Sequence, residues 1–169
     1  MLGIEGCGNT AMHIRLLGPG DLQQVEQHLL ALNPADRYAR FHSGVSDWAI
    51  SAYVRRIDPA RAILVGASHR SGGGLVGLAE AQPAAAPGTV ELAVTIHPAC
   101  RRRGLGRRIV GEVLARAFAN GAGTAELFFT RSNVALAGLA AGLGARVDML
   151  RGYAAISSAS QVGAWREAA

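Results

Sequence analysis

The period of the apolar residues changes along the chain, and each change marks an element. Met12 to Leu17 reads as a first strand, ended by Gly18-Pro19-Gly20. From Asp21, a suitable N-cap, to Leu32 the apolar positions Leu22, Val25, Leu29 and Leu32 fall on one helical face. Asn33 to Phe41 (NPADRYARF) starts a second, short helix with Tyr38 and Phe41 turned inward. Ser46 caps a third helix that runs to Ile57 and stops near Asp58-Pro59. The period then drops to two. Arg61 to Arg70, with Ile63, Val65 and Ala67 alternating against Leu64 and Gly66, is a strand, and Gly74 to Ala81 and Val90 to Ile96 form a hairpin around the loop Gln82 to Gly88. A helical segment from Arg107 to Leu114 follows, then a strand from Thr124 to Phe129 and a helix opened by Asn133 that ends at Leu143-Gly144-Ala145. Ala145 to Ser158 is expected to supply one or two last strands around Met149 to Tyr153. Residues 12–158 thus form one domain between a leader over 1–11 and a loosely held tail over 159–169 in which Trp165 folds back.

Composition narrows the class. The chain has 169 residues, enough for one domain with a real core, and half of them are hydrophobic. Only 5% are aromatic, so Ala, Val, Leu and Ile must supply that core. No apolar run approaches the roughly 20 residues of a bilayer span, and Met1 to Ala11 lacks the basic start and apolar stretch of a signal peptide. A cytoplasmic protein without a membrane partner is the expectation. Cys7 and Cys100 lack metal-ligand spacing; free thiols and no metal are expected.

The net charge is +5, and all 17 basic residues are arginines. Five of these, Arg101, Arg102, Arg103, Arg107 and Arg108, crowd into eight positions, which attracts polyphosphates. No aromatic residue interleaves with the cluster as base stacking requires, so nucleic acid is not the expected partner. The cluster contains Arg101-Arg102-Arg103-Gly104-Leu105-Gly106, placed between a strand and a helix. Its glycines let the backbone approach a bulky anion, and the helix start offers unpaired N–H groups and a positive dipole end. A P-loop would need a Gly-Lys-Ser/Thr ending, and a dinucleotide fingerprint a third glycine where this chain has Arg107-Arg108-Ile109.

The spacing Arg-x-x-Gly-x-Gly resembles the pyrophosphate-binding signature of the GCN5-related N-acetyltransferases (GNAT), whose ligand is acetyl-coenzyme A. Asn133 and Leu143-Gly144-Ala145 fit the family's second core helix, and Asn33 to Phe41 is similar to a segment of the bacterial protein-lysine acetyltransferases. The resemblance implies an α/β fold: a mixed, mostly antiparallel sheet of six to seven strands, about four flanking helices and a splayed central parallel pair. It also implies an N-acetyltransferase, monomer or homodimer, with acetyl-coenzyme A as co-substrate and a primary amine as acceptor. By the same resemblance, backbone groups of Val94, Thr95 and Ile96 pair with the pantetheine arm, and an N–H near Val94 serves the oxyanion. Arg101, Arg102, Arg103, Gly104, Leu105, Gly106 and Arg107 wrap the pyrophosphate, and Asn133 completes the cofactor set.

Amine acetylation also needs a base, because a lysine-type amine of pKa about 10.4 is neutral in only a few molecules per ten thousand at pH 7. Glu91, ten positions before Arg101 on the central strand, is the first choice by resemblance; Glu80 and Glu126 are the alternatives, and each also reads as a plain strand glutamate. Phe128 occupies the place of a base used elsewhere in the family, and Ala140 that of a thiolate-protonating tyrosine. Tyr38 and Tyr153 have no support from spacing as substitutes, and His97 reads as a solvated contact. The acceptor is a protein lysine, or else an antibiotic, polyamine or metabolite amine. The missing tyrosine also leaves open a non-catalytic acyl-coenzyme A sensor.

Overall fold

The computed structural model describes residues 12–159; the expected leader, Cys7 and Trp165 lie outside the described residues. A first strand, β1 (Met12–Leu17), and a 3-10 turn (Pro19–Asp21) lead into three helices, α1 (Leu22–Leu30), α2 (Pro34–Phe41) and α3 (Asp47–Arg55). A meander of β2 (Ile63–His69), β3 (Leu75–Pro83) and β4 (Thr89–Ile96) follows. After a second 3-10 turn (Pro98–Cys100) come α4 (Leu105–Ala119), β5 (Thr124–Phe128), α5 (Val134–Gly142), β6 (Arg146–Asp148) and β7 (Tyr153–Ser157). The strands form one seven-stranded sheet in the order β1-β2-β3-β4-β5-β7-β6. Every pairing is antiparallel except β4 with β5. Among the described residues there are five α-helices, where about four were expected.

Local chemistry sets these boundaries. Asn33 accepts from the Asp36 N–H at 2.9 Å, and Pro34, which has no N–H to leave unpaired, begins α2. Ser46 caps α3 in the same way at 3.3 Å from the Ala49 nitrogen. Tyr38, expected inward, is 53% exposed, because α2 docks through Phe41, whose ring meets Tyr53 edge-on at 5.4 Å. The last strands expected between Ala145 and Ser158 are β6 and β7, and residues 149–152 form the turn between them. Asp148 Oδ1 accepts from the Leu150 and Arg151 N–H groups, and Gly152 follows at φ +64°, where a β-carbon would lie 2.0 Å from the Phe129 carbonyl oxygen.

Each face of the sheet carries a core. Ile109, Val113 and Leu114 of α4 pack with Val76, Leu92 and Leu127 on one face; Val25 and Leu29 of α1 and Ile50 of α3 pack with Leu64 and Leu78 on the other. Among the described residues no helix is long and apolar enough to cross a membrane.

The second core holds one polar side chain from α1. His28 is buried, with Nδ1 3.0 Å from the Leu75 carbonyl oxygen and Nε2 2.8 Å from Thr95 Oγ1. A carbonyl only accepts, so Nδ1 carries the proton and Nε2 accepts from the Thr95 hydroxyl. Burial, the largest cause, holds the His28 pKa below its usual 6.5, against the opposing pull of the bond to Leu75. The folded state therefore binds this proton less readily than the unfolded chain, and stability is lost as pH falls from 6.5 toward the lowered value. His28→Gln is expected to flatten the fall in melting temperature between pH 7.5 and 5.5; equal slopes in the variant and the parent would place that pH dependence on other groups.

Candidate active site

β4 and β5 pair over three residues only: Thr89 with Thr124, Val90 with Ala125 and Glu91 with Glu126. Beyond Glu91, β4 continues to Ile96 without a β5 partner, while β5 stays on β7 as far as Phe128 opposite Tyr153. The two strands part like a fork, and a cavity of about 440 Å³ occupies the opening. Its wall is formed by β4 from Glu91 to Ile96, the start of α4, one side each of α2 and α5, and Phe128.

At the α4 end the backbone is prepared for an anion. Gly104 caps the helix at φ +74°, in the left-handed region that favours glycine, and the first intrahelical bond runs from the Arg108 N–H to the Gly104 carbonyl at 3.1 Å. The N–H groups of Leu105, Gly106 and Arg107 are thereby left without an intrahelical acceptor, at the positive end of a 15-residue helix with no acidic residue in its first turn. Arg102 and Arg107 line the same end of the cavity. These donors fit a diphosphate.

Of the residues singled out in the sequence, Glu91, Val94, Thr95, Ile96, Arg101, Arg102, Gly104, Leu105, Gly106, Arg107 and Asn133 all lie on the cavity wall; Arg103 is exposed and off it. Three of these side chains are committed within the protein, Thr95 through the hydroxyl it donates to His28. Arg101 donates from Nε to the Ile96 carbonyl at 2.9 Å and from Nη2 to Asp36 at 2.6 Å, which ties the glycine-rich loop to α2. Asn133 accepts from the Leu136 N–H at 3.1 Å and caps α5.

The three glutamates differ in their surroundings. Glu91 is exposed at the fork, and among the described residues no side chain bonds its carboxylate. Glu80 is 2% exposed and committed to Arg40, Tyr53 and Gln82. Glu126, in register with Glu91, accepts from the Tyr153 hydroxyl at 2.8 Å, a bond that holds the Tyr153 pKa above its usual value. His97 turns its Nδ1 back onto the Ala99 N–H at 3.3 Å. Ala140 is fully buried, so no group reaches the cavity from that position. Cys100 is disulfide-bonded, which corrects the expectation of a free thiol at that position. Sequence reasoning also missed Asp36, Arg40 and His42 as cavity residues, because the polar face of a short helix carries no mark of what it overlooks.

A model of the acetyltransferase (GNAT) family matches residues 24–145. The chain belongs to this family. No curated protein matches this GNAT chain in sequence. Among solved structures it is similar to the GNAT domain of S. lividans PAT, with 16% identity, a TM-score of 0.68, and 85% of this chain and 89% of that one covered. It is also similar to yncA of Salmonella typhimurium, solved with its cofactor acetyl-CoA, at 18% identity and a TM-score of 0.65 over 88% and 94% of the two chains. Spermidine N-acetyltransferase of Vibrio cholerae, solved with CoA and spermine, aligns at 16% identity and a TM-score of 0.67 over 89% and 98%. At such identities the likeness establishes the GNAT fold alone.

Proposed function

We infer that this acetyltransferase moves the acetyl group of acetyl-coenzyme A to a primary amine, with a protein lysine as the acceptor. The observation that carries the reading is the fork itself: one cavity joins an exposed carboxylate, Glu91, to the unpaired N–H groups at the start of α4. The diphosphate of the co-substrate docks at that helix start. Its extended arm lies along β4, whose backbone groups beyond Glu91 have no strand partner on the open side. An N–H near Val94 then faces the carbonyl oxygen on which charge develops. Glu91, directly or through one water, takes the proton from the ammonium, so that the lone pair attacks the thioester carbon; coenzyme A leaves as a thiolate, and the nitrogen gives up its second proton to it as the amide forms.

The lysine preference rests on α2. The segment resembling the protein-lysine acetyltransferases forms a short helix over the cavity, which supports an acceptor entering beside it. The net charge of +5 also disfavours polycationic antibiotics at long range. A turnover panel of lysine peptides, aminoglycosides, polyamines and amino acids tests this: lysine peptides are expected to react fastest. Aminoglycosides or polyamines reacting far faster than any peptide would overturn the acceptor assignment and leave acetyl transfer in place.

A further inference from the structure

Beneath α2 lies a buried polar cluster for which proton removal and acetyl transfer have no use. The side chains of Arg40 on α2 and Glu80 on β3 are 10% and 3% exposed and form an ion pair. Tyr53 donates to the other Glu80 oxygen at 2.6 Å and accepts from Arg40 Nη2 and from Gln82 Nε2, each at 2.7 Å. The guanidinium is also packed against the rings of Phe41 and Tyr53, 4.8 and 5.2 Å from their centroids. A guanidinium held on so many sides cannot swing.

One corner of it remains unused. Arg40 Nε and Nη2 are bonded, and Nη1 has no acceptor among the described residues. Among the described residues no buried side-chain nitrogen or oxygen lacks a partner, so Nη1 is not sealed in the core, and Arg40 stands in the cavity wall. Its place there is close to the chemistry: Glu80 is in register with Ala93, which shares a face of β4 with Glu91 two residues away. A buried ion pair contributes little stability over an apolar substitute. What this one supplies is a permanently charged guanidinium, fixed on several sides, in the wall of the cavity.

We propose that Arg40 Nη1 binds a carboxylate of the acceptor, so that the amine acetylated here belongs to a molecule with an acidic group close by. The proposal rests on the acetyl-transfer reading and specifies its substrate class. Free amino acids and lysines flanked by an acidic residue share this chemistry. A charge-assisted hydrogen bond to a pre-organised guanidinium is about twice as strong as a neutral one, and the +5 chain steers anions inward. Because Glu80 already balances Arg40, the selection acts at short range and favours acceptors whose carboxylate reaches Nη1.

The test compares acceptors that differ only in that group: amino acids against their carboxamides, and Glu-Lys peptides against Gln-Lys peptides. Calorimetric binding to the coenzyme A-saturated protein is read beside kcat/KM. We expect the acids to bind and react about tenfold better or more, mainly through KM, with the leading series identifying the source of the carboxylate. Arg40→Gln combined with Glu80→Gln, which strands no buried charge, is expected to keep the coenzyme A thermal shift and lose the preference. Arg40→Lys keeps the ion pair without a second nitrogen and loses it too, so the outcome does not hang on the folding of one variant. Equal binding and turnover of acids and amides, or a preference that survives in both variants, overturns the proposal and leaves acetyl transfer standing. Acids that bind selectively without any acetylation overturn the transfer reading instead.

Discussion

Glu91→Gln is expected to lower acetyl transfer by about 10²-fold at pH 7 with little change in affinity for acetyl-coenzyme A. The substitution is isosteric and removes only the capacity to accept a proton. Glu91 is exposed at the fork and no side chain among the described residues depends on its charge, so the fold should not register the change. The loss should shrink as pH rises toward the amine pKa of about 10.4, because solution then delivers the neutral nucleophile without help. Parental turnover at pH 7, with chemistry rate-limiting, would reduce Glu91 to a strand residue. Glu126 would then be the next carboxylate to test, since Glu80 is spent on Arg40, Tyr53 and Gln82.

The second large effect concerns the co-substrate. At a hundredfold excess over its dissociation constant acetyl-coenzyme A should add about 2.7 kcal/mol to stability, a rise of roughly 5–10 °C in melting temperature for a chain of this size. Gly106→Val is expected to abolish the rise. A β-carbon at Gly106 would sit 3.5 Å from Leu139 and 3.8 Å from Ile96, both on the cavity wall. The further methyls of valine must either displace those neighbours or occupy the space beside the free N–H groups. Gly111→Val is the matched control: it lies in the same helix, where nothing approaches within 4 Å of a β-carbon. If the parent shows no shift at millimolar acetyl-coenzyme A, the diphosphate assignment of the α4 start fails. If both variants lose the shift, the damage is to the helix and not to the site.

Much of the fold is written in local signals. The alternation of Ile63, Val65 and Ala67, the caps Asn33 and Ser46, and the glycines before α4 each act within a few residues, and these elements form where the pattern puts them. The α4 end of the cavity was legible for the same reason, since a glycine-rich turn and the helix it opens are contiguous in sequence. The α2 end is assembled from distant segments. Arg40 meets Glu80 across 40 positions and Arg101 meets Asp36 across 65, and no periodicity encodes such pairings. Glu80 shows the limit most clearly. A glutamate on an apolar strand reads as a candidate base until the structure places a buried guanidinium and a tyrosine over it, and from the sequence those partners are only two more polar residues on helices.

The three-residue join between β4 and β5 also bears on how the molecule avoids its own kind. Leu92 to Ile96 form an unpaired strand edge about 17 Å long, inside the sheet rather than at its rim. Open edges invite strands from other chains and so lead to aggregation. This one is recessed between α2 and α5, both of which stand in the cavity wall, so a slender extended ligand can lie along it while a second copy, carrying a sheet of its own, cannot. The gap between β4 and β5 is thus tolerable in a crowded solution because residues of α2 and α5 stand in the wall around it.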